Sequence, residues 1–196
     1  DGMIFAGQST LHTHLNALSQ QNVPFVVWGA NLPNQQYCAV GSDNRRGGYR
    51  ATSHLLRLGR KNVAFLGDLD APEVQLRYQG YCDALKEAGL EPLPELLQPA
   101  HFYVESAVEA LEILLERDVK FDAVFAAADL IAVGAIRGLL KNGLRVPQDI
   151  SVVGYDDIHM ADYFSPSLTT VKQDVRKAGR LSLIHISEPT RLDDIA

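Results

Sequence analysis

Three glycines set the rhythm of this chain. Gly59, Gly89 and Gly143 each close an amphipathic run, at Leu58, at Leu85–Ala88 and at Leu139–Asn142, and a chain reversal follows each one. A residue without a Cβ enters the left-handed conformation that ends a helix at little cost. Between these stops lie apolar runs of strand length: Met3–Ala6, Phe25–Trp28, Asn62–Gly67, Asp122–Ala127 and a β-branched run at Ile150, Val152 and Val153. Strand and helix alternating in this way select an α/β fold, a parallel sheet with helices on both faces.

The helices read by their periods. Leu11, Leu15 and Leu18 share one face of a short helix, Leu11–Gln20; Val104, Ala107, Val108, Leu111, Leu114 and Leu115 keep helical spacing throughout. The helix ending at Leu58 buries Ala51, Leu55 and Leu58, and Val74–Ala88 turns Tyr81, Ala84, Leu85 and Ala88 inward. Asp43 and Asn44 precede the first of these, where either side chain can cap free N–H groups. Asp129 stands likewise before Leu130–Leu140. Ala39–Gly41 reads as a weak strand, Leu168–Val171 as another behind the loop containing Pro166, and Glu91–Pro99 as loop.

A chain of 196 residues, 46% hydrophobic and 21% charged, can bury one sizeable core or two small ones. No apolar run approaches the ~20 residues of a membrane span. A formal charge of −6 argues against nucleic-acid binding by this stretch, because a phosphate footprint needs a basic face. Cys38 and Cys82 form no C-x-x-C pair and read as buried free thiols, which favours a reducing cytoplasm.

Enzyme signatures are weak. His12 and His14 lie two positions apart on one helix and face different ways. His54, His101 and His159 have no cysteine or carboxylate at ligand spacing. The sequence holds no G-x-S-x-G, P-loop or G-x-G-x-x-G, and Gly47-Gly48 lacks the lysine of a phosphate loop. The chemistry concentrates instead where Gly154 and Tyr155 end the Ile150 run and Asp156 and Asp157 follow. Ligands of open α/β sheets bind outside such strand ends, and a carboxylate there can accept from two neighbouring hydroxyls. One of the two acids could equally cap the following turn; that reading goes to Asp157.

The wording VPQDISVVGYDD, the segments VGSDNRRGGYRATSHLLRLGRKNVAFLG, LRYQGYCDALKEAGL and FDAVFAAADLIAVGAIRGLLKNGLRVP, and the strand DGMIFAG occur in one order. Together they resemble the effector-binding half of the LacI/GalR family of bacterial transcriptional regulators, from Asp1 to about Gly179. The resemblance implies two Rossmann-like parallel-sheet subdomains with a ligand cleft between them. Residues 1–59 would be an incomplete N-terminal subdomain, 60–172 the C-terminal effector-binding subdomain, and 173–180 the return crossing. Periplasmic sugar-binding receptors share this fold and are the alternative; the paired acids and the VPQDISVVGYDD wording favour the regulators. The family's helix-turn-helix, hinge helix and first two βα units are absent. Leu181–Ala196 departs from the pattern, SLIHISEPTR resembles a translated sequencing adapter, and this tail is expected to be non-native and irregular.

The resemblance also assigns residues. Asp156 accepts hydrogen bonds from the effector, and Arg77, which could otherwise be a solvated surface arginine, lies on it with a rigid donor fork. Glu73 falls where relatives have a small polar contact residue and suits a polyol. Phe102 either stacks on the ligand's apolar face or fills a core beneath its loop. Asp129 could cap its helix or wall the cleft, with the cap favoured, and Gln173 at the return crossing could touch ligand or hinge. The implied partner is a small-molecule effector, a sugar or sugar derivative. No cofactor, metal, membrane contact or catalysis is expected. A cytoplasmic homodimer formed partly through the helix from Leu130 and the loop around Phe164 is implied, with operator DNA met only through the helix-turn-helix.

Overall fold

The structure is a computed structural model, and it describes residues 2–8, 12–21, 23–117, 119–159, 161 and 167–187. In chain order its elements are β1 (Met3–Ala6), α1 (Thr13–Ser19), β2 (Phe25–Trp28), β3 (Ala39–Val40), α2 (Asn44–Arg57), β4 (Val63–Leu66) and α3 (Pro72–Glu87). A short 3-10 turn precedes β5 (Leu97–Gln98); then come α4 (Val104–Glu116), β6 (Ala123–Ala126), α5 (Asp129–Lys141), β7 (Ser151–Asp156), β8 (Thr169–Lys172) and α6 (Val175–Ser187). They fall into two compact units. The first comprises residues 1–43, 70–73 and 174–196; the second, 44–69 and 74–173.

In the first unit the strands run β1-β2-β3, all parallel. The period of two in β2 splits its side chains between two clusters. Phe25 and Val27 pack with Tyr37, Phe5 and with Leu15 and Leu18 of α1. Val26 turns the other way and joins Val40, Trp28 and, from α6, Ala178 and Ile186. β1 lies at the sheet's edge with Met3 and Ile4 exposed.

The second unit holds a five-stranded parallel sheet in the order β5-β4-β6-β7-β8. Every residue of β4 and β6 is buried, as expected of parallel strands covered on both faces. Phe65 meets Tyr78 and Tyr81 of α3, while Gly154 lies directly under Asp129 of α5. Thus α2 and α3 cover one face and α4 and α5 the other. Gly59, Gly89 and Gly143 all have positive φ, at 85°, 72° and 76°, so the three stops are helix-ending turns of the expected kind.

Several expectations need correction. α2 belongs with the second unit, not with residues 1–59, because it packs against α3 through two glycines. A Cβ on Gly48 would strike the Arg77 carbonyl, and one on Gly80 would strike that of Arg45. Leu58 is exposed, as is Ala88, since α2 stops at Arg57 and α3 at Glu87, which leaves both in the turns. β7 continues through Gly154 and Tyr155 because β8 pairs with it as far as Asp156↔Lys172. Leu97–Gln98 forms an edge strand where loop was expected. Cys38 and Cys82 are only half-buried, and burial raises both thiol pKa values above the ordinary. Leu181–Ser187 continues α6 rather than lying irregular, with Ser182 buried and Ile186 in the core. The rest of that tail, Leu11 and the loop around Phe164 and Pro166 lie outside the described residues.

Candidate functional site

The site in the second unit begins at the carboxyl end of β7. Asp156 and Asp157 both have positive φ, 114° and 56°. Such conformations cost non-glycine residues of order 1–3 kcal/mol and persist only where neighbours hold them. The neighbours here are specific. Gln173 donates from Nε2 to Asp156 Oδ1 at 2.6 Å, Lys172 Nζ lies 3.1 Å from Asp157 Oδ2, and the Asp157 amide meets Thr170 Oγ1 at 3.3 Å.

Arg77, on the inner face of α3, is 4% exposed, so it is no surface arginine. Its Nε donates to Asn44 Oδ1 at 2.9 Å, and Nη1 donates to the Ala127 carbonyl at the end of β6. The guanidinium carbon sits 3.7 Å from the centroid of the Tyr155 ring, and Nη1 is 3.6 Å from Asp156 Oδ1. Burial raises the Asp156 pKa; Arg77 and the Gln173 hydrogen bond pull it back, and Asp129 adds to the rise.

Asp129 is fully buried, but it does not cap α5: Ala128 is the N-cap, without a side-chain cap bond. Its carboxylate instead accepts from the Ile158 amide at 2.8 Å and from the Thr170 hydroxyl, tying α5 to the segment after β7 and to β8. Burial raises its pKa as well, against the pull of those two bonds. Phe102 is 46% exposed in the loop before α4, which removes the core-aromatic reading.

Glu73 falls with the first unit. Its Oε1 is buried without a hydrogen-bond partner among the described residues, as is Nδ1 of His12. Around it stand Gln8, bonded to the Ala30 carbonyl at 2.5 Å, and Tyr37, whose hydroxyl lies 3.5 Å from Gln8 Oε1 and whose ring meets His12 edge-on. Burial raises the Tyr37 pKa, and the Glu73 charge adds to it.

The structure therefore brings Arg77, Asp156, Gln173 and Asp129 into one unit with Asn44, Tyr155 and Thr170, which sequence reasoning missed. Asn44 reads locally as a cap and Tyr155 as a strand terminus; no local signal gives their partners. Gln8, His12 and Tyr37 were likewise missed beside Glu73. Among the described residues no group of three or more His, Cys, Asp or Glu could hold a metal ion, and no helix is long and apolar enough to cross a membrane.

Comparison with known proteins agrees with this architecture. Residues 52–183 match the family described as periplasmic binding protein-like domain. The chain is 34% identical over 187 residues to the HTH-type transcriptional repressor PurR of Haemophilus influenzae, covering 93% of this chain and 55% of that protein. It is 40% identical over 166 residues to the HTH-type transcriptional regulator CelR of Thermobifida fusca, covering 83% and 49%. It thus spans about half the length of the curated relatives it matches. Among solved structures, a CelR–cellobiose complex superposes with a TM-score of 0.86 at 35% identity, over 97% of this chain and 60% of that one. A sugar-binding LacI-family regulator from Escherichia coli, complexed with phosphate, gives 0.83 at 30% identity over 96% and 69%. The class is the periplasmic-binding-protein-like fold, and within it the chain belongs to the LacI family of transcriptional regulators.

Proposed function

We propose that this chain is the effector-binding core of a DNA-binding regulator, and that its ligand is a neutral, hydroxyl-rich molecule, a sugar or sugar derivative. The observation that carries the reading is the Arg77–Asp156 pair at 3.6 Å. Each charge compensates the other, so the pair favours no net charge on the ligand. Asp156 supplies acceptors for hydroxyl protons and Arg77 supplies donors. Exposed Phe102 offers a ring face to the apolar side of a sugar. That a relative was solved with cellobiose supports the same class.

On this reading the ligand is bound and released unchanged. Binding shifts the populations of two conformations, and operator DNA is met by a helix-turn-helix such as the relatives' names declare. The whole regulator is proposed to act as a homodimer in the cytoplasm. Titration calorimetry with cellobiose and a panel of neutral mono- and disaccharides, alongside their phosphates, tests the ligand class. A neutral sugar should bind, and Asp156→Ala should weaken it by about 1–3 kcal/mol, the cost of one buried polar partner. Binding of phosphates alone, or binding indifferent to Asp156→Ala, would overturn the proposal.

A further inference from the structure

The chain first enters and finally leaves the second unit at two residues whose side chains reach the charged pair. Asn44 is the first residue of that unit after Asp43, and Gln173 is its last before Asp174. Asn44 Oδ1 accepts from Arg77 Nε at 2.9 Å, and Gln173 Nε2 donates to Asp156 Oδ1 at 2.6 Å. Arg77 and Asp156 stand 3.6 Å apart. The result is one line of polar contacts, Asn44–Arg77–Asp156–Gln173, that starts at one connection and ends at another.

We infer that Asn44 and Gln173 are positioning residues that wire these two connections to the Arg77–Asp156 pair, so that a change at the pair is felt at both. Three features make the line stiff. Asn44 is 3% exposed and Arg77 4%, so water does not replace their bond. Arg77 is also held flat by Tyr155, and Gly47 leaves no room for a Cβ beside the Tyr155 hydroxyl. Gln173 is doubly tied, since its backbone N–H also reaches the Asp156 carbonyl, at 3.4 Å. A ligand that drew Asp156 away from Arg77 would disturb the Gln173 bond directly and the Asn44 bond through the guanidinium. That regulatory meaning rests on the effector reading; the wiring itself does not.

Amide hydrogen exchange on the full chain without ligand tests it. Asp156→Asn should speed exchange at residues 44–47, and Arg77→Met should speed it at Gln173 and Asp174. Each change should be about threefold or more, as expected when one hydrogen bond is lost. Where Asp156→Asn does not fold, Gln173→Ala replaces it, with the Arg77 Nε–Hε resonance as the distant readout. Asn44→Ala should shift that resonance, and Asn44→Asp, which keeps the acceptor, should restore it. Exchange changes confined to the neighbours of each substituted residue, or no rescue by Asn44→Asp, would overturn the wiring. Failure of every sugar to bind would strike only the effector reading.

Discussion

Arg77 lies over the ring of Tyr155, its guanidinium carbon 3.7 Å from the ring centroid, and both residues are buried. The ring's negative face stabilises a charge that water cannot reach. Tyr155→Phe keeps that face and should cost no more than about 1 kcal/mol, the worth of a hydrogen bond. Tyr155→Leu removes it and should cost about 1–2 kcal/mol more. Urea unfolding of the two variants measures the difference; equal losses would show that the stacking contributes nothing.

The buried acids give a pH dependence with a definite sign. Burial raises the pKa of Asp156 and of Asp129. Between the ordinary carboxylate range, near ~3.9, and the raised values, the folded chain therefore holds more protons than the unfolded one. The contribution of these groups to stability should fall as pH rises through that window and stay low above it. Asp149 runs the other way: hydrogen bonds from Arg145 lower it to about 2, so its contribution is lost only as pH falls towards that value. Carboxyl-carbon NMR titration should find Asp156 and Asp129 above the ordinary value and Asp149 below it. Asp129 titrating at or below the ordinary value would refute the burial argument.

How much of this was legible follows from what local pattern can carry. The glycine stops, the buried runs of β4, β6 and β7, and the acids at the end of β7 were legible because each is a matter of neighbours in sequence. Asp129 was misjudged because its partners, Ile158 and Thr170, are distant in the chain. α6 hid for another reason. Its inward stripe is Ala178, Ser182 and Ile186, while Leu183 and Ile184 face outward, which inverts the usual amphipathic signal. β5 was lost because two residues carry no period.

The crossing of α2 and α3 depends on two missing side chains. Gly80→Ala would drive a methyl group into the backbone of α2 near Arg45 and Tyr49. Overpacking of this kind costs about 1–3 kcal/mol or more. Gly59→Ala meets no atom and carries only the strain of φ 85°, so about 1 kcal/mol is expected. Thermal unfolding should rank Gly80→Ala as the more damaging; the reverse order would contradict the close approach of these helices.

Within α6, neighbouring isoleucine and leucine positions should behave oppositely. Ile186→Asp puts a carboxylate against Val26 and Val40 and should destabilise the first unit by about 2 kcal/mol or more. Leu183→Asp, at a position 62% exposed, should stay within about 0.5 kcal/mol of the parent. A denaturation midpoint moved as far by Leu183→Asp as by Ile186→Asp would mean that the helix packs through another face.

The first unit is assembled from the two ends of the sequence. Val26 and Val40 find Ala178 and Ile186 only after the second unit has been synthesised between them. Until then one face of β2 has no cover, while Met3 and Ile4 of β1 stand exposed at an edge even in the finished unit. Contacts of such long sequence separation form slowly, and uncovered strand edges are where nascent chains aggregate. A ribosome-bound intermediate ending near Gln173 would carry a finished second sheet and an N-terminal one still exposed to chaperones.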